Sequence, residues 1–224
     1  MRGGTVIGGP PAAMELGGFT YVQMGDGCDT TVLLLHGTGG DEYDLLSLGA
    51  HLAPESNLIS PRGRAPEGVV NRWFARFSPG VLDEEDIVLR SGELAAFVSA
   101  AARRHGVNNG AIWAVGFSNG ANMAAAMLLL HSEVFAGAVL LRPILPLRPE
   151  HTPDLGGLPV YIAAGARDTM IPRHSTEALV KLLVASGADV TAEWVEADHG
   201  LLREEIDQVR IWLSGRLEKS LRTE

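Results

Sequence analysis

The chain is short of cysteine, of basic residues and of long apolar runs. Cys28 is its only cysteine, so no disulfide closes within the chain and no multi-cysteine metal site forms. A lone thiol fits a reducing compartment, and Cys28 reads as a buried or loop thiol ahead of a strand. Eighteen Lys and Arg stand against 27 Asp and Glu, a formal net charge of −9. The clustered cations that neutralise phosphates are missing, since short pieces such as Arg103–Arg104 do not reverse that balance, and nucleic acid is excluded as a partner. The longest apolar stretch, Ala121 to Leu130, is interrupted by Asn122 and falls far short of the ~20 residues of a membrane span. Residues 1–13, MRGGTVIGGPPAA, lack the apolar core of a signal peptide. The expectation is a cytoplasmic protein without a membrane span. No internal repeat and no low-complexity block is present.

What is there is an ordinary globular composition, 46% hydrophobic and 20% charged over 224 residues. A chain of this size buries roughly 70% of its unfolded surface in one compact domain. The boundaries expected are a flexible Gly- and Pro-rich lead-in over 1–13 and a single domain over 14–224. Short runs with strand character alternate with longer helical patterns. The runs are Phe19 to Met24, Thr31 to Leu35, Leu58 to Ser60, Ala111 to Val115, Ala138 to Leu141, Val160 to Ala164 and Val190 to Val195. Several are apolar throughout, as strands covered on both faces are. Leu94, Phe97, Val98 and Ala101 recur at helical spacing after the acidic Asp83 to Asp86, which suits a helix N-terminus. Ile206, Val209, Leu213 and Leu217 make a second stripe. The fold class expected is α/β, a central mostly parallel sheet with helices on both faces. Pro61 to Leu82 breaks the rhythm and reads as a loop insertion on the substrate side.

The sharpest chemical signal is Gly116-Phe117-Ser118-Asn119-Gly120. By chance G-x-S-x-G arises roughly 0.2 times in a chain this rich in glycine, so the context matters more than the match. AIWAV before it reads as a strand and ANMAAAMLLL after it as a buried helix, which presents Ser118 on a sharp strand-to-helix turn. A serine hydroxyl needs a base, and the base needs an orienting carboxylate. Asp168 directly follows the strand VYIAAGA, and His199 lies between TAEWV and the last helix, giving the order Ser, Asp, His. Both fall at strand C-terminal ends, where open α/β sheets bind ligands. Among rivals, His174 and His151 read as surface residues, Asp198 as a loop-shaping neighbour of His199, and Asp189 as turn chemistry.

Acyl transfer also needs donors aimed at the oxyanion. The backbone N–H groups of Asn119 and of Thr38, in the turn His36-Gly37-Thr38-Gly39-Gly40-Asp41, are the candidates. That turn is no phosphate cradle, because Glu42 breaks the Rossmann spacing and no Gly-Lys-Ser/Thr follows. His36 supports the loop rather than acting as base or metal ligand. Trp73 and Phe74 either line the pocket or form a satellite core beneath the long loop, and Met170 and Ile171 have the same standing.

Together LLLHGTGGDEYDL, SPRG followed by RWF, GFSNGANMA, GARDTMIP and DHGL resemble the carboxylesterase, lysophospholipase and acyl-protein thioesterase branch of the α/β-hydrolase superfamily. The HGTGGDE turn and the DEED segment look most like the small bacterial carboxylesterases. The resemblance spans residues 33–201. It implies an α/β-hydrolase fold without a large lid domain, a Ser118–Asp168–His199 triad, an oxyanion hole at Thr38 and Asn119, and neither cofactor nor metal. Asn119 stands where the thioesterases usually have Gln, and Ala75 follows Trp73-Phe74 where they usually have Asp. The first leaves the backbone donor unaffected, while the second points away from protein depalmitoylation and a long acyl channel; a small open site favours short- to medium-chain carboxylic esters. The alternatives are a lysophospholipase or acyl-thioesterase using the same triad, and a non-catalytic binding protein on the same fold. The partner expected is a small-molecule ester, with the protein a monomer or homodimer.

Overall fold

The strand signals lie where the chain pairs. A computed structural model describes residues 11–25, 27–67, 69–78, 80–107 and 112–220. Residues 1–10 of the expected lead-in, Gly68 and Pro79 in the insertion, Ala111 of the expected strand and the last four residues lie outside the described ones. In chain order the elements are β1 (Met14–Leu16), β2 (Phe19–Met24), β3 (Thr31–Leu35), α1 (Leu46–Leu52), β4 (Asn57–Pro61), β5 (Ala65–Glu67), β6 (Val70–Arg72), β7 (Arg76–Ser78) and β8 (Val81–Leu82). They continue with α2 (Glu84–His105), β9 (Ile112–Phe117), α3 (Asn119–Leu130), β10 (Gly137–Leu141), β11 (Pro159–Gly165), α4 (Arg173–Ala185), β12 (Asp189–Val195) and α5 (Arg203–Ser220).

Eight strands form one sheet in the order β1-β2-β4-β3-β9-β10-β11-β12. The pairs from β4 to β12 are parallel, while β1–β2 and β2–β4 are antiparallel. Both faces are covered, and the alternation of side chains sorts the core into two layers. Leu33, Leu35, Ala114, Leu140 and Ile162 face α2, α3 and α4 through Leu94, Met123 and Leu179. Val32, Leu34, Val115, Val139 and Tyr161 face α1 and α5 through Leu52, Val209 and Leu213. The fold is the mostly parallel α/β sheet with helices on both faces that the apolar runs imply, with no large extra domain among the described residues.

Local chemistry explains the element ends. Asp83 caps α2 by accepting the Asp86 N–H, Glu84, Glu85 and Asp86 occupy its first turn, and Gly106 closes it at φ 67°, each favourable to a helix terminus. Helix α3 is buried from Asn119 to Leu129 and apolar apart from Asn119 and Asn122, as suits a helix packed under the middle of a sheet. The sequence reading misses the β1–β2 hairpin. Its signal was present: Gly17 and Gly18 both have positive φ, 57° and 78°, as a two-residue turn of this hand requires. The insertion over 61–82 is not irregular. It carries two small antiparallel hairpins, β5–β6 and β7–β8.

Candidate active site

Parallel pairing brings the C-terminal ends of β3, β9, β10, β11 and β12 to one edge, because the register sets Leu35 beside Gly116, Leu141 beside Ala163 and Gly165 beside Val195. The segments that follow carry the candidate residues. Ser118 follows β9 directly, with φ 52° and ψ −114°. That conformation is costly for a side chain and persists only where the surroundings impose it. Here they do: a Cβ on Gly120 would lie 1.9 Å from Leu35 O, and one on Gly116 would lie 2.5 Å from Gly120 O. Glycine at both places lets α3 turn back against β3 and β9, which aims the hydroxyl of Ser118 out of the sheet edge.

His199 Nε2 lies 3.0 Å from Ser118 Oγ, and its Nδ1 lies 2.8 Å from Asp168 Oδ2. Asp168 is almost fully buried, and its second oxygen accepts the N–H groups of Met170 and Ile171 at 2.8 and 3.0 Å. The carboxylate is therefore fixed on both sides, and a proton on Nδ1 leaves Nε2 as acceptor from the serine. The three residues expected to act together are brought together. Ser118 and His199 line a cleft of about 490 Å³ that Thr38 and Asn119 also line, with Asp168 behind them. Asn119 opens α3, where a first-turn N–H has no partner inside the helix. Among the described residues neither the Thr38 nor the Asn119 backbone N–H donates to a protein acceptor.

The turn carrying Thr38 is held by the insertion. His36 is buried, its Nδ1 donates to Gly37 O at 2.6 Å, and its Nε2 accepts the Gly63 N–H at 2.9 Å. This arrangement needs the neutral ring. Burial lowers the pKa of His36 below its usual value and outweighs the Gly37 bond and the carboxylates of Asp44, Asp41 and Glu42. Asn71 Nδ2 donates to Gly40 O, and the Gly39 N–H donates to Asn71 O. Arg62 makes a bidentate pair with the buried Glu42, both bonds at 2.6 Å. Burial alone would raise the Glu42 pKa, but the Arg62 bonds together with lesser contributions hold it below the usual carboxylate value.

Trp73 and Phe74 are not pocket walls. They are 2% and 0% exposed and belong to the core. The Trp73 indole donates to His36 O at 2.8 Å and its backbone N–H to Asn119 Oδ1 at 2.9 Å. An indole buried for its apolar surface needs an acceptor for its N–H, and the turn supplies it. From this segment Arg72, Arg76, Gly80 and Leu82 line the cleft instead. Met170 and Ile171 do line it, together with Ile144 and Pro172. His174 is exposed, as expected, but stands on the cleft rim. His151 is exposed and lies outside the cleft lining. Asp198 accepts the Gly200 N–H, and Asp189 pairs with Arg216 at the start of β12. Cys28 is half-buried before β3, where its carbonyl accepts from Asn57.

Among the described residues no group of three or more His, Cys, Asp and Glu is placed to hold a metal ion. No helix among them is long and apolar enough to cross a membrane.

Comparison with known proteins agrees with this architecture. The sequence pattern of the phospholipase/carboxylesterase family matches residues 20–215. The protein MhqD of Bacillus subtilis is 44% identical over 184 residues, 82% of this chain and 92% of that one. The crystal structure of the Bacillus cereus carboxylesterase has a TM-score of 0.85 at 36% identity, covering 88% of this chain and 94% of that one. A carboxylesterase from Mesorhizobium loti has the same TM-score and identity, with coverage of 92% and 98%. The chain belongs to the phospholipase/carboxylesterase family of hydrolases, on the α/β-hydrolase fold.

Proposed function

We propose that the chain is a serine carboxylesterase for short- to medium-chain carboxylic esters. The observation that carries this is the continuous hydrogen-bonded series from Ser118 through His199 to Asp168, with Ser118 and His199 lining a cleft. His199 Nε2 takes the serine proton as Oγ adds to the ester carbonyl, and Asp168 stabilises the imidazolium and keeps its other proton on Nδ1. The N–H groups of Thr38 and Asn119 take up the negative charge on the carbonyl oxygen. His199 then gives its proton to the leaving alcohol, which departs as the acyl-enzyme forms. Water, deprotonated by the same nitrogen, adds to that acyl group, and the acid leaves as Ser118 regains its proton.

The preference for shorter acyl groups is supported by the cleft lining, to which the insertion contributes Arg72, Arg76, Gly80 and Leu82 but none of Trp73, Phe74 and Phe77. Hydrolysis of p-nitrophenyl esters from acetate to palmitate, run beside Ser118→Ala, tests the proposal. Turnover should peak at short chains and fall by more than about a thousandfold in the folded variant. A peak at long chains would favour lysophospholipase or thioesterase action. Turnover unchanged in Ser118→Ala would remove the serine from the mechanism, and no turnover at any length would favour a binding role for the fold.

A further inference from the structure

A general base works only if its ring is held, and the backbone around His199 has a dedicated holder. Arg142 follows β10 as Ser118 follows β9, and it too is a non-glycine residue at positive φ, 59°. Its backbone N–H donates to Ala163 O in β11, and its side chain is 0% exposed. A guanidinium carries five N–H donors in one plane, and all five are used. Nε donates to Asp198 O at 3.1 Å, and Nη2 donates to Gly200 O at 2.6 Å. These are the carbonyls on either side of His199. Nη1 donates to Ala163 O at 3.2 Å. The remaining two donors meet the carboxylate of Glu205 in the first turn of α5, at 2.5 and 2.8 Å. Glu205 is itself 1% exposed and also accepts the Leu202 N–H.

A buried ion pair is a weak source of net stability, because desolvating both charges offsets their attraction. Its rigid fork is a strong source of geometry. Two donors of one plane grip the carbonyls of Asp198 and Gly200, the residues flanking His199, while the other three tie that plane to β11 and α5. Arg142 is not part of the cleft lining, so it acts on the reaction only through the segments it holds, of which that around His199 is gripped at two carbonyls. We propose that Arg142, held by Glu205, is a positioning residue that sets the His199 ring between Asp168 and Ser118. The proposal rests on the reading above insofar as His199 is the base.

The test uses Arg142→Lys, which keeps a charge opposite Glu205 but has one nitrogen and cannot span the five acceptor atoms. Arg142→Met/Glu205→Leu removes both charges, so no uncompensated buried charge remains if the lysine variant does not fold. Folding is followed by circular dichroism and thermal unfolding. In folded variants kcat for p-nitrophenyl acetate should fall about a hundredfold with KM little changed, the cost of a base displaced by about an ångström. Proton NMR of the Nδ1–H shared with Asp168, identified by its loss in Asp168→Asn, should show that resonance broadened or shifted. A purely structural role would leave both kcat and the resonance of a folded variant as in the parent, and that result overturns the proposal. The resonance needs no turnover. If the parent protein hydrolyses no ester, the esterase reading fails while the resonance still decides whether Arg142 orients His199.

Discussion

Asp168 shows how much one residue's surroundings decide. Its two oxygens have separate tasks: Oδ1 is taken up by the Met170 and Ile171 N–H groups, and Oδ2 faces His199 Nδ1. Asp168→Asn leaves the shape unchanged but places an amide N–H or a weaker acceptor opposite the ring. With Oδ1 still accepting the two backbone N–H groups, the amide nitrogen faces His199 and drives the ring proton to Nε2, where it can no longer receive the serine proton. The expected outcome is a folded protein whose kcat falls by on the order of 10⁴, measured on p-nitrophenyl acetate beside the thermal midpoint. A variant retaining more than a tenth of the activity would assign the orienting carboxylate elsewhere. Ser118, Asp168 and His199 were legible as candidates because each lies within a few residues of a strand's end, in the order Ser, Asp, His. Arg142 was not legible. A lone arginine after an apolar strand has no pattern, and its meaning comes from carbonyls at residues 163, 198 and 200, which any sequence would supply.

At the scale of elements, the insertion over 61–82 is a brace as well as a rim. Gly63, Asn71 and Trp73 all bond to the turn that carries Thr38, and Trp73 also reaches Asn119. The aromatic pair in the sequence equally suited a pocket wall and a small core, and only long-range backbone partners separate the two. Strands were easier to read, because an apolar run covered on both faces depends on its own residues. Trp73→Phe tests the brace. It keeps a buried aromatic ring but leaves His36 O without its indole donor, so stability should drop by about 1–3 kcal/mol in urea unfolding. Because the turn then holds Thr38 less firmly, kcat should fall while KM stays near the parent value. An unchanged kcat with lowered stability would confine Trp73 to the core.

For the whole molecule, the same turn couples the site to pH. His36 is held neutral by burial, below the 6.5 usual for histidine, and Glu42 is held ionised beneath its usual 4.5. In each case the unfolded chain binds the proton more readily than the folded one, so stability rises with pH across the interval between the two values. The contribution of His36 is complete above 6.5 and is lost as pH falls from there towards its folded pKa. The contribution of Glu42 is complete above 4.5 and is lost below it. The chemical cause at His36 is specific: a proton on Nε2 would confront the Gly63 N–H with a second donor. Glutamine at this position keeps an oxygen acceptor and an N–H donor but does not titrate. Urea unfolding of His36→Gln and the parent, at about pH 7.5 and about pH 5, should therefore show a smaller loss of stability on acidification in the variant. The steep loss below 4.5 should persist in both, since Glu42 and Arg62 are untouched. Equal slopes between the two conditions would mean that the imidazole of His36 accommodates its second proton without loosening the turn, and that the tautomer its two partners select is incidental to stability.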